Sequence, residues 1–204
     1  MVGQSNHAGT TPMELRHDPG YVAARIATFV RELADDLGPP QVGTVGSLSL
    51  HPNLVNVVAA RAVVTVDLRN TDDSVLAEAE HRLAQLLDEV ARAEGVTITT
   101  RSLARFEPVT FDERVVRIIH DLAGAAGLMV RRMPSGAGHD AQMFARVCPT
   151  AMIFVPSENG ISHNPAEHTD VDDLEAGANL LLHTLLQLAG DELGWPSSEP
   201  EVSS

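Results

Sequence analysis

Apolar and polar residues along the chain are spaced in a way that predicts five helices. In the first two, apolar side chains recur every three or four positions, which places them on one face of a helix. Pro19 and Gly38 suit the start and end of the first helix, and Thr71-Asp72-Asp73 suits the cap of the second. The predicted helices span residues 18–37, 71–95, 112–127, 141–147 and 171–193.

Two valine-rich, partly alternating runs between the first two helices predict strands at 42–52 and 60–70, joined by an extended segment. A further strand is predicted within 96–111. This β-α-β-β-α-β order is the ferredoxin-like split pattern, provided that another strand precedes the first helix. Only Met1–Asn6 remains for that strand, so we expect the chain to begin inside an element.

The second half of the chain alternates helices with continuous apolar runs at 128–134 and 150–156, which is typical of a parallel sheet with helices on its faces. Two strands alone are too few for a stable sheet. The predicted class is therefore α/β: an α+β module at 1–110 and a partial α/β domain at 111–193. We expect a disordered tail at 194–204 and partly uncovered apolar faces in the second domain.

The composition argues against several classes of partner. The chain has 14 basic residues, all arginine, and 28 acidic ones, and its formal charge of −14 repels nucleic acid and anionic lipid. There is one cysteine, no export signal and no apolar run long enough to span a membrane. We therefore expect a cytoplasmic protein without nucleic-acid or membrane partners.

The segment GISHNPAEHT, residues 160–169, follows an apolar run and places His163 where open α/β sheets bind ligands. A neutral imidazole there can ligate zinc, with a carboxylate or carbonyl fixing its tautomer. The alternative is that His163 only hydrogen-bonds the loop while Glu167 and His168 face water. A catalytic zinc needs about three protein ligands, and no HExxH, CxxC or HxH pattern accompanies this loop.

Three other polar clusters are candidates. In NHAGTTP, His7 could donate a proton to a developing oxyanion, or the segment could simply turn and cap the chain. Asn56 and Arg69 could grip a carboxylate, or Arg69 could form a solvated ion pair with Asp67. The small residues of SGAGHDAQ, 135–142, could offer N–H groups to an anion, or could form an ordinary helix start.

Taken in order, GQSNHAGTTPMELRHDP, PNLVNVV with VDLRN, SGAGHDAQ and GISHNPAEHT resemble the hydantoinase/carbamoylase branch of the aminoacylase and carboxypeptidase metallohydrolases. The branch includes N-carbamoyl-L-amino-acid hydrolases, allantoate amidohydrolases and β-ureidopropionases. The resemblance runs from residue 1 to about residue 190. It implies a lid that dimerises at 1–110 and the C-terminal part of a two-zinc catalytic domain after it.

The resemblance also implies a role for each candidate residue. His163 matches a zinc ligand, and Asn56 and Arg69 match residues that hold the substrate carboxylate. His7 matches a lid histidine that reaches the substrate across the homodimer and polarises the scissile carbonyl. SGAGHDAQ matches a loop that lines the pocket. The implied cofactor is zinc, two ions per complete site, and the sequence does not distinguish zinc from manganese or cobalt.

The family's other zinc ligands and its general-base glutamate have no counterpart in this sequence. We therefore expect a C-terminal fragment of a zinc-dependent amidohydrolase for N-carbamoyl amino acids or ureido acids such as allantoate, inactive alone. One alternative is a non-catalytic dimerisation or lid module that partners a full-length relative. Another is a peptidase or acylase of the wider family, which the matched carboxylate-binding pair disfavours. The substrate within the class stays open.

Overall fold

The computed structural model describes residues 1–190, and the predicted tail and the last turn of the predicted final helix lie outside them. The chain divides into two compact units, Met1–Pro108 and Val109–Ser204. The first unit combines helices with small antiparallel sheets. In the described part of the second unit, the regular elements are helices.

Two long helices of the first unit match the predicted pattern. Helix α1 spans Pro19–Leu37, and the Asp18 carboxylate caps it by accepting two backbone N–H groups. Helix α2 spans Asp73–Glu94, is capped in the same way by Asp72, and ends at Gly95 in the left-handed conformation. Both predicted helices are confirmed, since each carries its own start and stop residues.

The strands of the first unit pair in two antiparallel ladders. Strand β2, Val42–His51, pairs with β4, Arg61–Arg69, and a bulge interrupts the register between Val45 and Ser47. Two-residue strands β1, Asn6–His7, and β3, Val57–Val58, form the second ladder. The two long predicted strands are confirmed.

The first three residues of the chain lie between β4 and the segment after α2. The amide N–H and carbonyl of Val2 each bond Thr97 at 2.8 Å, and Val2 also forms a bridge with Arg61. The chain order across these pairings is therefore β2, β4, the segment at 1–3 and then Thr97. The predicted strand at 96–111 is wrong beyond this single bridge, because residues 98–111 form no ladder.

The hydrophobic core of the first unit lies between the two helices and one face of β2 and β4. Alternate residues of β4 turn towards the helices, as the period of a strand requires. The buried side chains of the cluster come from α1, α2 and the residue after Gly95. They are Val22, Ile26, Val30, Leu86, Val90 and Val96.

The described part of the second unit contains three helices. Helix α3 spans Glu113–Ala125 with Asp112 as its cap, and it packs against α5, Val171–Gly190. Between them lies only a four-residue helix α4, Ala141–Phe144. The segment that carries His163 joins a single 3₁₀ turn, Glu158–Gly160, to α5.

The parallel strand pair predicted for the second unit is wrong for the described residues. Segments 128–134 and 150–156 form no strand, and the only sheets among residues 1–190 belong to the first unit. A strand exists only with a hydrogen-bonded neighbour, and these apolar runs have none there. The described chain as a whole is therefore a mixed arrangement of helices and small sheets, and its sheets lie in the first unit.

Apolar side chains of the second unit are exposed, as its sequence predicts. In helix α5 the exposed leucines lie along one side and retain half or more of their free surface. These are Leu174, Leu181, Leu182, Leu185 and Leu186. Even so, no helix within residues 1–190 is long and apolar enough to cross a membrane.

Candidate functional site

His7 ends the short strand β1 and begins a tight turn. Its Nδ1 accepts hydrogen bonds from the backbone N–H groups of Gly9 at 3.1 Å and Thr10 at 3.2 Å. A nitrogen that accepts cannot carry the proton, so the neutral ring is the Nε2–H tautomer. The side chain is exposed, and the imidazole therefore presents an N–H donor outward. Such a donor can stabilise a developing oxyanion.

Asn56 lies beside this turn. Its carbonyl accepts the N–H of Ala8 at 2.9 Å, immediately after the register pairing of His7 with Val57. The Asn56 side chain is exposed. The structure therefore brings two of the predicted residues, His7 and Asn56, onto neighbouring backbone segments.

Arg69 is the last residue of β4, at the end of the strand that lies farther along the chain from Asn56. Its Nε and Nη2 donate to the two carboxylate oxygens of Asp67, at 2.9 and 2.7 Å. This contact holds the pKa of Asp67 below its usual value and raises that of the Arg69 guanidinium. The ion pair is about half exposed. This agrees with the predicted alternative, in which Arg69 forms a solvated ion pair with Asp67.

The distance along β4 separates Arg69 from the His7 turn. Arg61, at the start of the strand, bridges Val2, whereas His7 pairs with Val57, four positions before Arg61. Eight residues of strand then lead from Arg61 to Arg69. At about 3.3 Å per residue this is roughly 26 Å. One chain therefore does not place Asn56 and Arg69 around the same small anion.

His163 lies in the second unit, on the loop before α5. Its φ is 55°, a left-handed conformation that is uncommon outside glycine, and its N–H donates to Glu167 Oε2 at 2.8 Å. The ring is exposed and makes no hydrogen bond recorded among residues 1–190. An imidazole with both nitrogens accessible can ligate a metal ion.

Contacts at both ends close the His163 loop. The N–H of Glu158 donates to the carbonyl of His168 at 2.8 Å, and the Thr169 hydroxyl donates to the carbonyl of Pro156 at 2.9 Å. The Ser157 hydroxyl bonds the carbonyl of Ile161 within the loop. The position of His163 is thus fixed by backbone contacts of its neighbours.

The donors needed for a complete metal centre are not assembled in the described part of the chain. No group of three or more His, Cys, Asp or Glu side chains within residues 1–190 has a geometry that could hold an ion. Since a catalytic zinc takes about three protein ligands, His163 fits as one of them and no more.

The glycine-rich segment at 135–142 has less capacity for an anion than its sequence suggests. The His139 Nδ1 accepts the N–H of Ala141 at 3.0 Å, and Ser135 Oγ accepts the N–H of Ala137 at 3.2 Å. Helix α4 that follows has only four residues. Two of the N–H groups predicted to be available are therefore already bonded within the segment.

Two residues with structural roles around the candidates were not singled out as functional from the sequence. Arg16 binds the carbonyls of Ala8 and Thr11 in the His7 turn. Glu167, which the sequence alone allows to face water, binds the backbone of His163. Each contact forms only when a turn folds back on itself. The spacing of residues in the sequence gives only a weak indication of such a contact.

Known proteins similar to this chain include amidohydrolases. An allantoate amidohydrolase of Escherichia coli is 43% identical over 92% of this chain and 46% of its own length. An N-carbamoyl-L-amino acid amidohydrolase of Geobacillus stearothermophilus is 38% identical over 94% of this chain and 47% of its own. The chain thus spans about half the length of these relatives.

The solved structures give the same picture. An amidase of the hydantoinase/carbamoylase family from Burkholderia vietnamiensis superposes with a TM-score of 0.90 at 39% identity, covering 93% of this chain and 46% of that one. The model of peptidase family M20/M25/M40 matches residues 5–187. Because that match spans most of the sequence, the chain belongs to peptidase family M20/M25/M40, and the predicted similarity to its hydantoinase/carbamoylase members is confirmed.

Proposed function

We propose that this chain forms part of a metal-dependent amidohydrolase that cleaves the C–N bond of N-carbamoyl amino acids or ureido acids such as allantoate. The observation that carries the proposal is the exposed Nε2–H of His7 beside Asn56, in a chain 43% identical to an allantoate amidohydrolase. In this proposal His7 donates its Nε2–H to the substrate's carbonyl oxygen as negative charge develops there. Asn56 and Arg69 bind the substrate carboxylate.

The positions of Asn56 and Arg69 support a site shared between two chains. Asn56 lies ahead of β4, next to Val57, whereas Arg69 is the last residue of β4, so one anion meets both only if Arg69 comes from a second copy. The proposed assembly is therefore a homodimer in which one copy supplies His7 and Asn56. The pairing order of the first unit is consistent with a ferredoxin-like lid that makes this dimer.

The metal part of the proposal assigns one ligand to this chain. The exposed ring of His163 holds one of two zinc ions, with manganese or cobalt as alternatives. A bound metal of this kind lowers the pKa of its water to about 7 and so supplies a nucleophile at neutral pH. The remaining ligands and the general base come from the half of the relatives that this chain does not span. The chain alone is then inactive.

Complementation tests this function. The chain is combined with the part of the Escherichia coli allantoate amidohydrolase that has no counterpart in it, a pair we call the completed enzyme. With zinc, manganese or cobalt present, we expect the completed enzyme to consume allantoate or an N-carbamoyl amino acid. Chromatography measures the loss of substrate. His163→Ala abolishes that turnover. A completed enzyme that binds metal and consumes none of these substrates contradicts the proposal.

A second function, a non-catalytic lid module that pairs with a full-length relative, is favoured by one feature. Strand β2 has ten residues without lysine, aspartate or glutamate, and only β4 pairs with it among residues 1–190. Such an edge suits strand addition. Sedimentation of the chain alone addresses it: a strict monomer at micromolar concentration rules this module out.

A further inference from the structure

Arg16 grips the turn that follows His7 at two backbone carbonyls. Its Nη2 donates to the carbonyl of Ala8 at 2.6 Å, and its Nε donates to the carbonyl of Thr11 at 3.1 Å. The side chain is half-buried. A guanidinium is planar and its donors form a rigid fork, so the two carbonyls are held at a fixed separation.

The Ala8–Gly9 peptide links this grip to the His7 ring. In a trans peptide the C=O and N–H groups point in opposite directions. With the carbonyl of Ala8 turned to Arg16, the N–H of Gly9 must turn the other way, and it meets His7 Nδ1 at 3.1 Å. Arg16 therefore orients a donor that it does not itself touch.

Two further contacts leave the turn little freedom. The backbone N–H and hydroxyl of Thr11, a buried residue, both donate to the carbonyl of His7, at 3.2 and 2.7 Å. The backbone of Gly9 also lies against the ring: a Cβ added there would come within 3.2 Å of His7 Cε1. The turn and the imidazole are thus packed as one piece.

We propose that Arg16 is a positioning residue that fixes the His7 imidazole as the Nε2–H tautomer by orienting the Ala8–Gly9 peptide. The consequence for catalysis rests on the proposed function: His7 presents a donor to the substrate only while its Nδ1 is occupied by the turn. The His7 tautomer is fixed by contacts within this chain and does not depend on a bound substrate.

Nuclear magnetic resonance of the 204-residue chain tests the proposal. Histidines are labelled with ¹⁵N, His7 is assigned through His7→Gln, and the tautomer is read from ring nitrogen shifts at about pH 8, where imidazole is neutral. We expect a single Nε2–H form in the parent chain. In Arg16→Gln, the Nδ1 shift moves to the value of the same histidine in a synthetic peptide of residues 4–12.

Two variants keep the outcome interpretable. Arg31→Gln removes an exposed arginine of α1 that pairs only with Asp35 among the recorded ion pairs of residues 1–190, and it leaves the His7 shifts unchanged. Arg16→Lys keeps the charge and most of the stem, and serves if Arg16→Gln does not fold. An ammonium lacks the fork that spans both carbonyls, so the His7 Nδ1 shift moves in the same direction.

Failure of this inference is distinct from failure of the proposed function. A protonated Nδ1 in the parent chain overturns the inference, as do unchanged His7 shifts in a folded Arg16 variant. A protonated Nδ1 also removes the His7 donor from the proposed function, whereas unchanged shifts in an Arg16 variant leave that donor in place; turnover by the completed enzyme tests the function separately. Conversely, a completed enzyme without turnover overturns the function and leaves the fixed tautomer of His7 standing.

Discussion

The backbone N–H of His163 donates to the carboxylate of Glu167 at 2.8 Å, at a residue whose φ is 55°. The turn between them brings the carboxylate back, since Asn164 accepts the N–H groups of Ala166 and Glu167 at 2.9 Å each. Left-handed backbone costs a non-glycine residue about 1–2 kcal/mol. This strain lies at the residue proposed as a metal ligand, and strained backbone often accompanies functional positions.

Two substitutions of His163 separate backbone strain from the imidazole. Glycine adopts the left-handed conformation without steric cost, whereas alanine keeps the Cβ, so we expect His163→Gly to be more stable than His163→Ala by about 1 kcal/mol. Urea unfolding of the two variants measures this difference. Both lack the imidazole, and both leave the completed enzyme inactive if His163 ligates the metal. Equal midpoints contradict the strain.

The Glu167 carboxylate should protect the amide of His163 from exchange. We expect Glu167→Ala to accelerate hydrogen exchange at that amide about fivefold, since a hydrogen bond of this kind contributes about 1 kcal/mol. Glu158→Ala is the matched control, because within the described chain its carboxylate has no recorded hydrogen bond. The same exchange rate in both variants shows that the Glu167 contact is absent in solution.

We expect the Asp67–Arg69 ion pair to make a pH-dependent contribution to the free energy of unfolding. The hydrogen bond from Arg69 lowers the pKa of Asp67 in the folded chain, so the stabilisation is present above the unfolded value of about 3.9 and is lost as pH falls through the folded value. The pair is half exposed, which limits its contribution to about 1 kcal/mol or less.

Comparison of the parent chain with Asp67→Asn measures this contribution. We expect the variant to unfold at slightly lower urea concentration at pH 7, and we expect the difference to disappear as the pH is lowered below about 4. Asp35→Asn, at an ion pair on the surface of α1, controls for general charge effects. A difference that grows towards acid pH contradicts the direction of the pKa change.

Local signals account for the parts of the fold that the sequence predicted. Asp18 and Asp72 cap α1 and α2 by accepting N–H groups from residues within three positions of themselves. The local sequence is therefore enough to locate these helix starts. The runs at 128–134 and 150–156 have equally clear apolar patterns but form no strand among residues 1–190. A strand depends on a distant neighbour, which the pattern of one segment does not specify.

The same distinction holds at the site. The positions of His7 and His163 on turns follow from the polar clusters around them. The Nδ1 contacts of His7 and the left-handed backbone of His163 do not, because both arise when a turn closes on itself. Nor does the sequence distance of 13 residues between Asn56 and Arg69 reveal that the whole length of β4 lies between them.

Mixing of two defective chains tests whether two copies share one site. Arg69→Ala should raise the KM of the completed enzyme, because it removes the proposed carboxylate partner, and His7→Ala should lower kcat. If His7 and Arg69 act from different copies, a heterodimer of these variants has one site with both residues intact and one site with neither. Random mixing makes half the dimers heterodimers, so about a quarter of the parent activity returns.

The measurement is kcat/KM of the completed enzyme after the two variant chains are unfolded and refolded together. Each variant refolded alone remains defective and gives the baseline. A mixture of His7→Ala with Asn56→Ala is the control, because His7 and Asn56 lie on neighbouring segments of one chain and no dimer then contains an intact site. If the first mixture gains no activity over its components while dimers form, His7 and Arg69 serve one site from the same copy. The 26 Å estimated along β4 then requires a different substrate contact for Arg69.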